Sequence, residues 1–177
     1  MEKKNAQEML DKLSYKKKNV FEEASAEEIK EIYEYSKGYM KFLDDAKTER
    51  EAVNATIEMI EKQGYTEYKF GDKLAVGDKK YYNNNGKSLV MFKIGTEKLE
   101  EDGIRILASH IDSPRIDLKQ VPLYEDAGMG FLKTHYYGGV KKYQWTAIPL
   151  ALHGVMVKAD GEVVDIKIGE DDTDPVF

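Results

Sequence analysis

Residues 104–108, IRILA, carry apolar side chains on neighbouring positions as well as on alternate ones. A strand with one wet face reads apolar and polar in turn, whereas a strand covered on both faces reads as a continuous apolar run. The segment therefore predicts a central strand of an α/β layer, and no other stretch restricts the fold as much, because such a strand needs cover on two sides. The run stops at His110, which falls at the carboxyl edge of that strand, and Asp112, Ser113, Pro114 and Arg115 follow.

Helices precede it. In SAEEIKEIYEYSKGYMKFL, Ser25 and Glu28 form a capping-box pattern, and Ile29, Ile32, Tyr33, Ser36, Met40 and Leu43 fall on one stripe, with Gly38 the weak point. Thr48 and Glu51 repeat the box, Val53, Ile57 and Ile60 follow on one face, and Gly64 offers a left-handed stop. The period then changes. YYNNNGKSLVMF sets an Asn-Gly turn before a strand-like run, and LALHGVMVKADGEVVDIKIG reads as a hairpin turning at Asp160-Gly161. Between them Gly128, Gly130, Gly138 and Gly139 lie among aromatics, so a second, mostly β unit is expected to start near residue 118. The chain stops at EDDTDPVF without a closing helix or strand, which reads as a cut ending.

A chain of 177 residues allows one domain or two small ones, and 41% apolar with 34% charged residues at net charge -6 suits a soluble globular protein. Acids are interleaved with the lysines, including Lys16 to Lys18, Lys141 and Lys142, so nucleic acid is not the expected partner. No stretch approaches the ~20 apolar residues of a spanning helix, and the charged start lacks the apolar run of a secretory signal, so a cytoplasmic protein without membrane contact is expected. The absence of cysteine leaves His, Asp and Glu as the ligands for a tightly held metal.

Ligands of open α/β sheets gather beyond the carboxyl ends of strands, which is where His110 is expected. Residues i and i+2 of a strand share a side, so Asp112 can hold one ring nitrogen of His110 while the other meets a cation. A His-x-Asp pattern alone also arises by chance. Ser113 has no Gly-x-Ser-x-Gly around it and suits a turn. His135 and His153 sit in aromatic or apolar surroundings, where a packed or hydrogen-bonded ring is the default. The acidic tail Glu170, Asp171, Asp172 and Asp174 lacks EF-hand spacing and suits a solvated turn.

Taken together, ASHIDSPRIDLK, PLYE at 122–125, KTHYYGGVKKYQW and IPLALHGV strongly resemble the aspartyl aminopeptidase and vacuolar aminopeptidase I family of dinuclear zinc exopeptidases, from roughly Tyr33 to the last residue. The resemblance implies that His110 binds metal and makes Asp112 the catalytic-site candidate that orients it; no substrate-binding residue is assigned. It implies zinc, two ions per site, with cobalt or manganese as possible substitutes, and hydrolysis of N-terminal residues from peptides by a water the two metals activate. It implies residues 1–117 as the amino-terminal part of a three-layer α/β/α zinc-exopeptidase domain. Residues 118–177 resemble the start of an inserted β-rich dimerisation domain, in a family whose dimers build a dodecamer. Members are much longer, with the remaining ligands and the catalytic glutamate in a C-terminal half, so the isolated chain is expected to be inactive. Two alternatives are a non-catalytic assembly or interaction module, and an unrelated α/β binding domain in which His110 is structural.

Overall fold

Both capping boxes form, and they fix where the longer helices begin. The computed structural model describes residues 2–15 and 17–177; Met1 and Lys16, which entered the argument only through the charge pattern of the first residues, lie outside the described residues. One compact unit runs up to Lys41, and the other spans Phe42–Phe177.

The first unit holds α1 (Glu2–Leu13), α2 (Val20–Glu23) and most of α3 (Ala26–Asp45). The Ser25 amide donates to the Glu28 carboxylate at 2.8 Å, and the Glu28 amide donates back to the Ser25 hydroxyl at 3.2 Å. That backbone donor, with the Ser25 hydroxyl, holds the Glu28 carboxyl below its ordinary range. Ile29, Ile32 and Ser36 form a half-buried line along α3, whereas Tyr33, Met40 and Leu43 are exposed, so the apolar face is narrower than the sequence stripe. No helix among the described residues is long and apolar enough to cross a membrane.

The second unit begins with α4 (Glu49–Glu61), whose N-cap Thr48 accepts from the Glu51 amide while the Glu51 carboxylate accepts from the Thr48 amide at 3.0 Å. Val53, 1% exposed, and Ile60 are buried along the expected face, and Gly64 turns the chain at φ 86°. Strand β1 (Thr66–Glu67) runs parallel to β2 (Lys79–Asn84), which pairs antiparallel with β3 (Ser88–Lys93). Asn85 and Gly86, at φ 57° and 68°, make the turn that the Asn-Gly signal announced. With α4 lying against β3, Ala52, Val53, Ile60 and Tyr81 make up the buried core among the described residues.

Tyr81 donates its hydroxyl to Glu61 at 2.7 Å, and this bond, with burial, pushes its ionisation up to about 12. Replacing Tyr81 by Phe should cost about 0.5–1.5 kcal/mol near neutrality. The folded value exceeds the ~10 of an unfolded tyrosine, so the wild type holds this contribution below pH ~10 and loses it as pH rises toward the folded value. Urea midpoints at pH ~8 and ~11.5 should therefore converge for the two proteins at the alkaline end, and an unchanged gap would refute the assignment.

Beyond α5 (Leu99–Asp102) the expected central strand is absent. Residues 103–114 join no ladder, Ile104 and Ile106 are exposed, and Leu107 is 102% exposed. The physical reason is that a strand exists only with a hydrogen-bonding neighbour, and among the described residues none lies beside this segment. The chain continues with β4 (Arg115–Asp126), β5 (Met129–Tyr137), α6 (Lys142–Trp145), β6 (Leu152–Val157) and β7 (Val163–Ile168). β4 and β5 form one antiparallel ribbon, with an irregularity between Leu118 and Leu123, and β6 and β7 form another, with Gly161 in its turn at φ 89°. Among the described residues the architecture is mixed α/β, with three separate small sheets in place of one central sheet. β4 continues through Leu118 as one strand.

Candidate functional site

Residues 109–114 lack a ladder of their own, so their shape is set by what they rest on. β4 and β5 place Arg115 opposite Tyr137, and the chain leaves β5 through Gly138 at φ 72°. A Cβ at Gly138 would lie 3.3 Å from the Pro114 Cα, so both the left-handed backbone and the close approach select glycine there. The His110 loop is thereby seated against the end of β5.

In that loop the His110 Nδ1 lies 2.7 Å from the Asp112 carbonyl oxygen and 3.2 Å from its carboxylate Oδ1. Both neighbours are acceptors, so a neutral ring carries its proton on Nδ1 and leaves the Nε2 lone pair free. The His110 side chain is 81% exposed. The second carboxylate oxygen of Asp112 accepts the Tyr137 hydroxyl at 2.7 Å. This bond holds the Asp112 carboxyl below its ordinary range and raises the ionisation of Tyr137.

Arg115 braces the opposite side. Its Nε donates to Asp117 at 2.7 Å, its Nη1 lies 3.0 Å from Glu49 in the first turn of α4, and its guanidinium carbon lies 4.2 Å from the Tyr137 ring centre. A longer bond of 3.3 Å runs from Nη1 to the Ser113 carbonyl. Burial alone would ease loss of the guanidinium proton, but the hydrogen bond to Asp117 and the charge of Glu49 more than reverse this.

The other two histidines stand in separate hydrogen-bond sets. His135 Nδ1 lies 3.1 Å from the Tyr136 carbonyl. His153, with its side chain 10% exposed, has Nδ1 at 2.9 Å from Glu51 and Nε2 at 2.7 Å from Glu170. Partial burial drives the Glu51 carboxyl upward, yet the bond and charge from His153, the Thr48 hydroxyl and Lys167 leave it below its ordinary range. The structure thus brings His110 and Asp112 together, as the sequence predicts, and makes His153 a hydrogen-bonded ring. It gives Glu170, set aside with the acidic tail, a definite partner. Sequence reasoning missed Arg115, Tyr137 and the second task of Glu51. The one signal for Tyr137 is its place opposite Arg115, which depends on knowing the strand pairing.

A tightly held metal needs three or four protein ligands. His110 offers one oriented nitrogen, and among the described residues no group of three or more His, Cys, Asp or Glu side chains is placed to hold an ion. The local donor chemistry fits a single ligand and not a complete set.

Residues 42–177 match the family model described as aminopeptidase I zinc metalloprotease (M18). A probable M18 family aminopeptidase 1 of Clostridium acetobutylicum is 50% identical over 164 residues, which cover 90% of this chain and 35% of that protein. The crystal structure of aminopeptidase I from Borrelia burgdorferi B31 matches with a TM-score of 0.85 at 39% identity, over 90% of this chain and 39% of that one. Aminopeptidase I from Clostridium acetobutylicum matches with a TM-score of 0.78 at 45% identity, over 93% and 37%. The chain thus spans about a third of the length of the curated relatives it matches. On this evidence of sequence and fold, the chain belongs to the M18 family of aminopeptidase I zinc metalloproteases.

Proposed function

We propose that the chain is the amino-terminal portion of a metal-dependent aminopeptidase that removes N-terminal residues from peptides, with His110 as a metal ligand and Asp112 as the group that orients it. The observation that carries this reading is the disposition of the ring. Nδ1 is committed to Asp112, to its carbonyl oxygen at 2.7 Å and its carboxylate at 3.2 Å, while the His110 side chain is 81% exposed, so Nε2 is the nitrogen left for a cation. Family membership supports peptide hydrolysis, and the family's description supports zinc. Divalent ions in such a site, two in this reading, supply polarisation of the scissile carbonyl and a lowered pKa of the attacking water.

The chain's own residues then have modest tasks: Asp112 keeps one proton on Nδ1, and Tyr137 and Arg115 keep Asp112 in place. Because the described residues hold no set of three ligands, the remaining ligands and the proton-accepting glutamate belong to other residues of the complete enzyme. The 177 residues alone are then inactive. In the same reading residues 1–117 contribute to a three-layer α/β/α catalytic domain. Residues 118–177 begin an inserted β-rich domain that pairs subunits into dimers and larger assemblies; the succession of strands from β4 to β7 supports this part.

The test is metal removal from the complete enzyme, assayed with aminoacyl nitroanilides and dipeptides. Chelation should abolish turnover, and zinc, or cobalt or manganese in its place, should restore it. Turnover indifferent to chelation would remove the metal mechanism, and turnover by the isolated chain would remove the division of the site.

A further inference from the structure

The hydrogen bonds that reach residues 104–114 from the β4–β5 ribbon are few among the described residues: the Tyr137 hydroxyl to Asp112, at 2.7 Å, and Arg115 to the Ser113 carbonyl, at 3.3 Å. The first ends on the carboxylate that faces His110. A carboxylate at the tip of an exposed loop rotates freely about its own bond unless one oxygen is anchored. Here Oδ2 is anchored by Tyr137, and the residue so held presents two acceptors to the His110 Nδ1, its carbonyl oxygen at 2.7 Å and Oδ1 at 3.2 Å. The tyrosine is itself restrained. Its backbone pairs with Arg115 across the ribbon, its ring lies 4.2 Å from the guanidinium, and Asp117 and Glu49 hold that guanidinium at 2.7 Å and 3.0 Å. A guanidinium held over an aromatic ring restrains the ring, and with it the direction of the hydroxyl.

We propose that Tyr137 is a positioning residue for the His110 imidazole: through Asp112 it selects the ring tautomer whose Nε2 is free for a cation, and Arg115 holds the tyrosine in register for that task. The tautomer part stands on geometry alone; the link to metal rests on the function proposed above.

The decisive variant is Tyr137→Phe, which keeps the ring against Arg115 and removes only the hydroxyl. Nitrogen-15 spectra of the histidine rings in the 177-residue chain report which nitrogen carries the proton. The wild type should show His110 protonated at Nδ1, and Tyr137→Phe should show a mixture of tautomers. Tyr136→Phe, on the neighbouring residue, should leave His110 unchanged, which separates positioning from a general loosening of β5. In the complete enzyme, zinc affinity from chelator competition should fall about tenfold to a hundredfold in Tyr137→Phe, the range for losing an outer partner of a metal-bound histidine.

An unchanged tautomer in Tyr137→Phe overturns the proposal. If the tautomer shifts but zinc affinity holds, positioning stands and His110 as a ligand falls, so the two failures are distinguishable. Should Tyr137→Phe not fold, the wild type gives its own answer. A Tyr137 hydroxyl proton protected from solvent exchange, assigned through its ring protons, supports the brace, and a rapidly exchanging one refutes it.

Discussion

Replacing His110 by Ala in the complete enzyme should lower kcat/KM by about a hundredfold to a thousandfold, since a metal's polarising effect is worth several kcal/mol and each 1.36 kcal/mol is tenfold. Bound zinc, measured by atomic absorption after dialysis, should fall in parallel. The change removes a side chain that is 81% exposed, so it creates no cavity, and circular dichroism and thermal midpoint should stay where they were. That contrast makes the result interpretable: a loss of metal without a loss of fold places the effect at the site. Zinc content and turnover both at wild-type levels would make His110 a surface residue and nothing more.

The largest expected effect on stability comes from Arg115→Ala. The guanidinium neutralises two partly buried carboxylates, Glu49 and Asp117, whose side chains are 24% and 32% exposed. Exposed ion pairs contribute ~0–1 kcal/mol, and stripping one partner from a buried pair costs ~3–5 kcal/mol. The intermediate exposure here places the loss at about 2 kcal/mol, read from urea unfolding of the 177-residue chain. Arg115→Lys should recover less than half of it, because an ammonium cannot donate in two fixed directions and also cover the Tyr137 ring. A loss under about 0.5 kcal/mol for Arg115→Ala would mean that solvent screens the cluster completely.

Much of what depends on neighbours in sequence was legible before the structure. The caps at Ser25 and Thr48, the buried face of α4, and the turns at Asn85-Gly86 and Asp160-Gly161 each follow from residues within a few positions of one another. His110 does meet Asp112 two positions on, but in an irregular segment and not on the shared side of a strand. The failures are equally instructive. IRILA is apolar apart from Arg105 and so suggests a covered strand, but composition records a demand for burial and not its supply, and Leu107 stands in solvent. Tyr137 meets Asp112 across 25 positions, and Glu51 meets His153 across 102, and no local pattern encodes either meeting. Glu51 was read correctly as a helix cap, yet a cap has a second carboxylate oxygen, and the fold uses it.

The clasp of His153 between Glu51 and Glu170 also sets an order of events for the folding chain. Hairpin formation takes ~1–10 μs, so β2–β3, β4–β5 and β6–β7 can close early and independently of one another. Joining residue 51 to residue 153 closes a loop of 102 positions, and this contact must wait for those ribbons to bring its ends within reach. The start of α4 and the last ribbon are therefore fastened together late.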